Sequence, residues 1–132
     1  MDEYLATLLS ELEETWSTPD ARRTLTLAAQ PLSLATDKAV AVGIIVSELV
    51  SNACKYAYPG KPAGEVRVAL RRDHEQFELQ VEDDGVGLPA SGKAQGTGLG
   101  SKLIASMATT LRSTIAYDPA HSGVSATLRA AC

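Results

Sequence analysis

The stretch from Asp83 to Gly100, DDGVGLPASGKAQGTGLG, restricts the folds open to this chain more than any other. Directly before it, Phe77, Leu79 and Val81 alternate with polar residues in the period of a half-buried strand. From Gly98 to Leu111, Leu99, Leu103, Ile104, Met107 and Leu111 recur at helical spacing. A strand therefore hands over to a helix through two glycine turns, Asp83-Asp84-Gly85-Val86-Gly87 and Gly96-Thr97-Gly98-Leu99-Gly100. Glycine opens backbone angles closed to other residues, so such turns suit a place where the chain comes close to a ligand.

The rest of the chain supplies the elements around this loop. Leu5, Leu8, Leu9, Leu12 and Trp16 give Asp2 to Trp16 the pattern of an amphipathic helix, stopped by Pro19-Asp20. That helix either lies on the domain's own core or is the tail of a longer helix that pairs with a partner. Arg23 to Leu27 alternates as a strand, closed by Gln30-Pro31. A long helix is expected from Thr36, a candidate N-cap, to Tyr56, stopped by Tyr58-Pro59-Gly60. Val42, Val46, Leu49 and Ala53 form its apolar stripe, and Cys54 reads as a small packed hydrophobe. Gly64 to Arg72 and Phe77 to Val81 read as a hairpin with His74 near its tip, and Ser113 to Tyr117 and Ser125 to Arg129 as two closing strands. Hairpin-joined strands with helices able to cover one face predict a two-layer α/β sandwich, and regular βαβ alternation is absent.

Charge and composition narrow the function classes. Twelve basic residues against sixteen acidic give a net charge of −4 over 132 residues, which argues against a nucleic-acid or anionic-membrane binder. No apolar run approaches the roughly 20 residues that cross a bilayer, and no signal-peptide pattern opens the chain. Two cysteines, Cys54 and Cys132, imply no disulfide framework, and the expected location is cytoplasmic. Met1 runs straight into a helical pattern, as a piece of a longer protein would.

Two groups of residues carry chemistry. Glu48, Asn52 and Lys55 share one helix face, because positions i, i+4 and i+7 stack on one side. Asn52 offers a neutral amide oxygen suited to one position around Mg²⁺, Glu48 could orient a metal-bound water or accept a proton, and Lys55 could neutralise phosphate. An ordinary solvated face has the same residue types. Asp83, at a strand end, would be held rigidly and could accept a hydrogen bond from an exocyclic amine such as that of adenine. Gly85 and Gly87 leave room for a flat ring, and GTGLG before a helix would present N–H groups to phosphates, with Lys102 as a candidate neighbour.

ELVSNACKYAYP (Glu48 to Pro59), DDGVGLP (Asp83 to Pro89) and GTGLG (Gly96 to Gly100) resemble the N, G1 and G2 boxes of the GHKL ATP-binding domains. That superfamily includes histidine kinases, Hsp90, type II topoisomerases and MutL. The wording is most similar to sensor histidine kinases of the HisKA_2/HWE type. The resemblance implies the Bergerat fold, an α+β sandwich whose mixed, largely antiparallel sheet is covered on one face by helices. It divides the chain into an N-terminal helix, 1–18, and an ATP-binding catalytic domain, 19–132. It implies ATP and Mg²⁺ as cofactors, with Asn52 at the metal and Glu48 and Lys55 beside it. Asp83 would meet adenine, with Gly85, Gly87 and Leu88 at the ring. Gly96, Thr97, Gly98, Leu99, Gly100 and Lys102 would line the triphosphate, and Leu88 to Gln95 would form a short lid.

Three departures sharpen the expectation. The family often has Thr after the glycine of the last hairpin, near adenine; here Gly123 precedes Val124, and Ser125 is the candidate substitute. No F box is visible, since Phe77 is the only phenylalanine. No phosphoacceptor motif surrounds His74 or His121, which read as solvated turn residues. The expected protein is the ATP-binding domain of a two-component histidine kinase. It would donate the γ-phosphate to a histidine on a dimerisation domain outside this chain, with a response-regulator receiver domain downstream, and would not autophosphorylate alone. The alternatives are an anti-sigma-type serine kinase and a non-catalytic phosphotransfer adaptor.

Overall fold

The computed structural model describes residues 1–86, 99–118 and 123–132, with backbone alone at 99–101. Its elements run α1 (Asp2–Trp16), β1 (Arg22–Ala29), α2 (Thr36–Tyr56), β2 (Ala63–Asp73), β3 (Gln76–Asp83), α3 (Leu99–Thr110), β4 (Ala116–Tyr117) and β5 (Ser125–Ala131). Among the described residues, five strands form one sheet in the order β1-β2-β3-β5-β4. β1 and β2 are parallel, joined by the α2 crossover, and the other neighbours are antiparallel. This is the mixed, largely antiparallel sheet that the motif resemblance implies.

Register follows from the period-2 pattern. Leu27, Val68, Val81 and Ala126 stand in one row across the sheet, and Leu70, Leu79 and Leu128 in the next. These side chains face α2, whose Val42, Ile45, Val46 and Val50 are fully buried against them. Phe77 belongs to this core, on β3. α1 seats Leu5 and Leu9 in the same core, packing on β1 and α2. α3 packs on α2, burying Ile104 and Ala108, with Leu111 buried just past its end.

The opposite sheet face is polar. Arg71, Glu78 and Arg129 stand in one row across β2, β3 and β5, and both guanidiniums reach the Glu78 carboxylate, at 2.7 and 2.6 Å. Among the described residues, helices therefore make the second layer on one side only, and the candidate site is built where that layer meets the end of β3.

The structure differs from expectation at three places. Thr36 is the first residue of α2 rather than its cap; Ala35 holds the cap position without a side-chain hydrogen bond. The fourth strand is only Ala116–Tyr117, because Ser113 is used to close α3. Its N–H donates to Ala108 and that of Arg112 to Thr109, the paired bonds of a Schellman turn, with Arg112 left-handed at φ 55°. Finally, α2 is long and apolar enough for a bilayer by composition, with a mean hydropathy of 1.3 over 18 residues. Nine of its residues are nevertheless buried within the fold, as befits a core helix.

Candidate functional site

Asp83 closes β3 in the same alternation that buries Phe77, Leu79 and Val81, so its carboxylate is carried on the helix-facing side of the sheet. The residue is 2% exposed. Its Oδ1 accepts the N–H groups of Gly85 at 2.9 Å and Val124 at 3.3 Å, and its own N–H donates to the Val124 carbonyl at 2.9 Å. Two backbone donors from different segments thus fix the direction of the carboxylate. The approach of the β5 entry is close: a Cβ at Gly123 would lie 2.1 Å from the Asp83 carbonyl oxygen.

The turn after Asp83 docks onto the end of α2. Val86 N–H donates to the Ala57 carbonyl at 2.9 Å, and a Cβ at Gly85 would lie 2.1 Å from that same oxygen. The close passage of α2 is thus one structural demand for glycine at 85. Ala57 N–H in turn donates to Ala53, one residue past Asn52. The end of the helix motif and the first glycine motif, far apart in the chain, thus meet at Ala57. On α2, Glu48 and Asn52 are half-buried and Lys55 is exposed. Lys55 Nζ stands 5.3 Å from the centroid of the Trp16 ring, a cation–π contact to α1. Replacing Lys55 with Met should lower stability by about 0.5–1 kcal/mol. It should also shift the emission of Trp16, the sole tryptophan; an unmoved spectrum would count against the contact. Cys54 is buried as a packed hydrophobe, and burial pushes its thiol up to about 11, Arg23 opposing the rise and Asp83 adding to it.

Several neighbours were given no role at the site from the sequence. Tyr58-Pro59-Gly60-Lys61 forms a turn with Gly60 at φ 69° and Lys61 N–H donating to the Tyr58 carbonyl. The buried Arg23 donates to the Tyr58 and Lys61 carbonyls at 3.0 and 3.3 Å, and stacks 5.5 Å from the Tyr58 ring. Arg23 interrupts the apolar side of the alternating RTLTL strand, and a charge there was the signal available.

Ser125 lies beside the carboxylate in sequence register but not on its face. It pairs with Glu82, one place out of step with Asp83, so its side chain is on the polar sheet face. There its hydroxyl accepts from Gln80 Nε2 at 3.3 Å. Val124, through its backbone, is the residue of this pair that reaches Asp83. Lys102 is exposed in the first turn of α3. His74 holds the hairpin tip at φ 57°, its side chain 94% exposed. Gly87, Leu88, Gly96, Thr97, Gly98, the lid and His121 lie outside the described residues, as do the side-chain surroundings of Leu99 and Gly100.

A strand-end carboxylate whose turn docks on the C-terminal end of a long helix suits the motif resemblance, and a family comparison decides it. Residues 11–128 match the histidine kinase-like ATPase domain. The chain belongs to this family. Among curated proteins, it is 37% identical over 57 residues to the sensor histidine kinase PdtaS of Mycobacterium tuberculosis, covering 42% of this chain and 11% of that protein. It is 34% identical over 68 residues to the anti-sigma F factor of Halalkalibacterium halodurans, covering 52% of this chain and 47% of that one. The histidine kinase domain of the Erythrobacter litoralis EL346 blue-light activated kinase superposes with a TM-score of 0.86 at 21% identity, over 98% of this chain and 60% of that one. The mycobacterial sensor histidine kinase MprB superposes at 0.76 with 21% identity, over 98% and 92%. This histidine kinase-like ATPase domain therefore shares its fold with kinase catalytic domains and spans less than half of either curated relative.

Proposed function

We propose that this domain binds Mg-ATP between the Asp83 turn and α2 and presents the γ-phosphate to a histidine outside this chain. The docking of the Asp83–Val86 turn on Ala57 carries this reading, because it unites the residues suited to a base with those suited to a metal and phosphate. The donor set fits. A buried carboxylate with one oxygen held by backbone N–H groups can accept from an exocyclic amine, and one amide plus one carboxylate leaves Mg²⁺ to be completed by phosphate and water. Bound Mg-ATP supplies the phosphoryl group and the charge neutralisation of its transfer.

The chain's residues then bind and orient. Asp83 accepts from the adenine amine, with Gly85, Gly87 and Leu88 at the ring. Asn52 offers its amide oxygen to the metal, and Glu48 orients a water or takes a proton. Gly96, Thr97, Gly98, Leu99 and Gly100 line the triphosphate through N–H groups, Lys102 nearby, and Lys55 moves toward phosphate. The acceptor histidine belongs to a dimerisation domain of a parent protein, whose last turns α1 would be, and a receiver domain takes the phosphoryl group in turn. The setting is cytoplasmic.

Titration calorimetry with Mg-ATP or ADP tests the binding; no heat of binding sinks the reading. Asn52→Ala should weaken binding in the presence of Mg²⁺ by at least the roughly tenfold that even an outer-shell metal partner is worth. Metal-free nucleotide binding should change less. Because one ammonium cannot serve both ring and phosphate, adding Mg-ATP should move Trp16 emission as Lys55→Met does. Incubated alone with labelled ATP, the chain should acquire no acid-labile phosphate, and clear labelling would mean the acceptor is within it.

A serine kinase of the anti-sigma type is a second reading, favoured by the similarity to anti-sigma F factor. Transfer to a protein serine gives acid-stable phosphate, which separates it from the first.

A further inference from the structure

The Asp83-Asp84 pair is held from both sides of the sheet. On the helix side, the Asp84 N–H donates to the Tyr58 hydroxyl at 2.9 Å, and that hydroxyl donates to the Glu65 carbonyl. The Tyr58 ring fits over β2 only because residue 64 is glycine: a Cβ there would lie 2.2 Å from the ring. Arg23 fixes the same residue by stacking on the ring and donating to its carbonyl. On the polar side, Arg67 grips the Asp84 carboxylate with both terminal nitrogens, at 2.7 and 2.9 Å. One of those nitrogens, Nη1, also donates to Glu65 at 3.0 Å, and Nε donates to Glu82 at 3.1 Å. Two adjacent aspartates thus take opposite faces, one aimed into the site and one anchored outside it.

We propose that Tyr58 and Arg67 are positioning residues that, through Asp84, set the direction of the Asp83 carboxylate and so the preference for adenine. The inference rests on the nucleotide-site reading and deepens it. Peptide 83–84 joins the two aspartates, so rotation of Asp84 about its backbone turns Asp83. The amide of Asp84 is tied to Tyr58 and its carboxylate to Arg67; losing either tie frees a rotation of the turn that carries the Gly85 donor to Asp83 Oδ1. A base-discriminating hydrogen bond depends steeply on angle, so a loosened carboxylate loses selectivity before the protein loses its fold. The Arg67–Asp84 pair is 31% and 57% exposed, and pairs of that exposure add little to stability. Its bidentate geometry instead imposes orientation.

Tyr58→Phe keeps the ring over Gly64 and removes only the hydroxyl. Arg67→Lys keeps the charge and removes the paired grip. Each variant should be titrated with Mg-ATP and Mg-GTP well below its unfolding temperature. Both should bind Mg-ATP about tenfold more weakly and lose most of the ATP-over-GTP preference. A merely structural role would lower the unfolding temperature and leave both affinities of the folded protein unchanged. Arg67→Lys, on the open face, is the variant to read if Tyr58→Phe does not fold. Affinities and selectivity within twofold of wild type overturn the positioning role alone. Absence of Mg-ATP binding by the wild type overturns the nucleotide site and this inference with it.

Discussion

Asp83→Asn is expected to weaken Mg-ATP binding by about 10- to 150-fold, the 1.5–3 kcal/mol of a hydrogen bond to a charged group. Removing the charge is only part of the reason. Oδ1 of Asp83 already accepts two backbone N–H groups, from Gly85 and Val124. In the asparagine variant the amide oxygen must take that position, because the side-chain nitrogen cannot accept from them. The amino group is then forced to where the second carboxylate oxygen was, and it would face the adenine amine as donor against donor. The same geometry makes a sharper forecast. Inosine triphosphate carries a carbonyl oxygen where adenine has its amine, so the variant should lose less affinity for it and could come to prefer it. Calorimetric titration of both nucleotides against both proteins reads the result. Equal ATP affinity in wild type and variant would remove Asp83 from the base site.

How much of this was legible beforehand depends on the distance over which each feature is decided. The α2 span, the hairpin with His74 at its tip and the burial of Asp83 follow from local periodicity, and FELQVED places Asp83 in step with Phe77, Leu79 and Val81. The side of Ser125 is not local. It depends on which residue of β3 it pairs with, and one step of register exchanges the faces. Tyr58 reads in sequence as a helix stop, and so it is; that its hydroxyl meets Asp84 needs β2 and β3 already side by side. Ser113 looked like strand because Arg112 hides a helix end that glycine would have announced. The union of α2 with the glycine turn, Ala57 to Val86, came only through the family resemblance, since no spacing argument reaches across the intervening hairpin.

Gly123→Ala should both destabilise the protein and empty the site, whereas Gly43→Ala, with a comparable apparent clash, should do neither. At Gly123 the added methyl would stand 2.1 Å from the Asp83 carbonyl oxygen and 2.6 Å from its Oδ1. The first is backbone in the β3–β5 ladder, where Asp83 N–H is bonded to Val124, so neither strand can retreat without breaking that bond. Overpacking of this kind costs about 1–3 kcal/mol. For a domain of this size that is roughly 4 °C of unfolding temperature per kcal/mol. Any relief that the strands do find displaces Asp83, so Mg-ATP affinity should fall at least as far as in Asp83→Asn. At Gly43 the nearest atom is the Tyr4 hydroxyl, at 2.4 Å, the far end of a side chain that is 47% exposed. Tyr4 can swing outward, and alanine in a helix interior returns up to about 1 kcal/mol relative to glycine. Thermal unfolding of the two variants, with a nucleotide titration of each, separates a rigid backbone clash from a yielding one. Equal behaviour would show that the β5 entry can move away from Asp83, and that the carboxylate is not held by the close passage of Gly123.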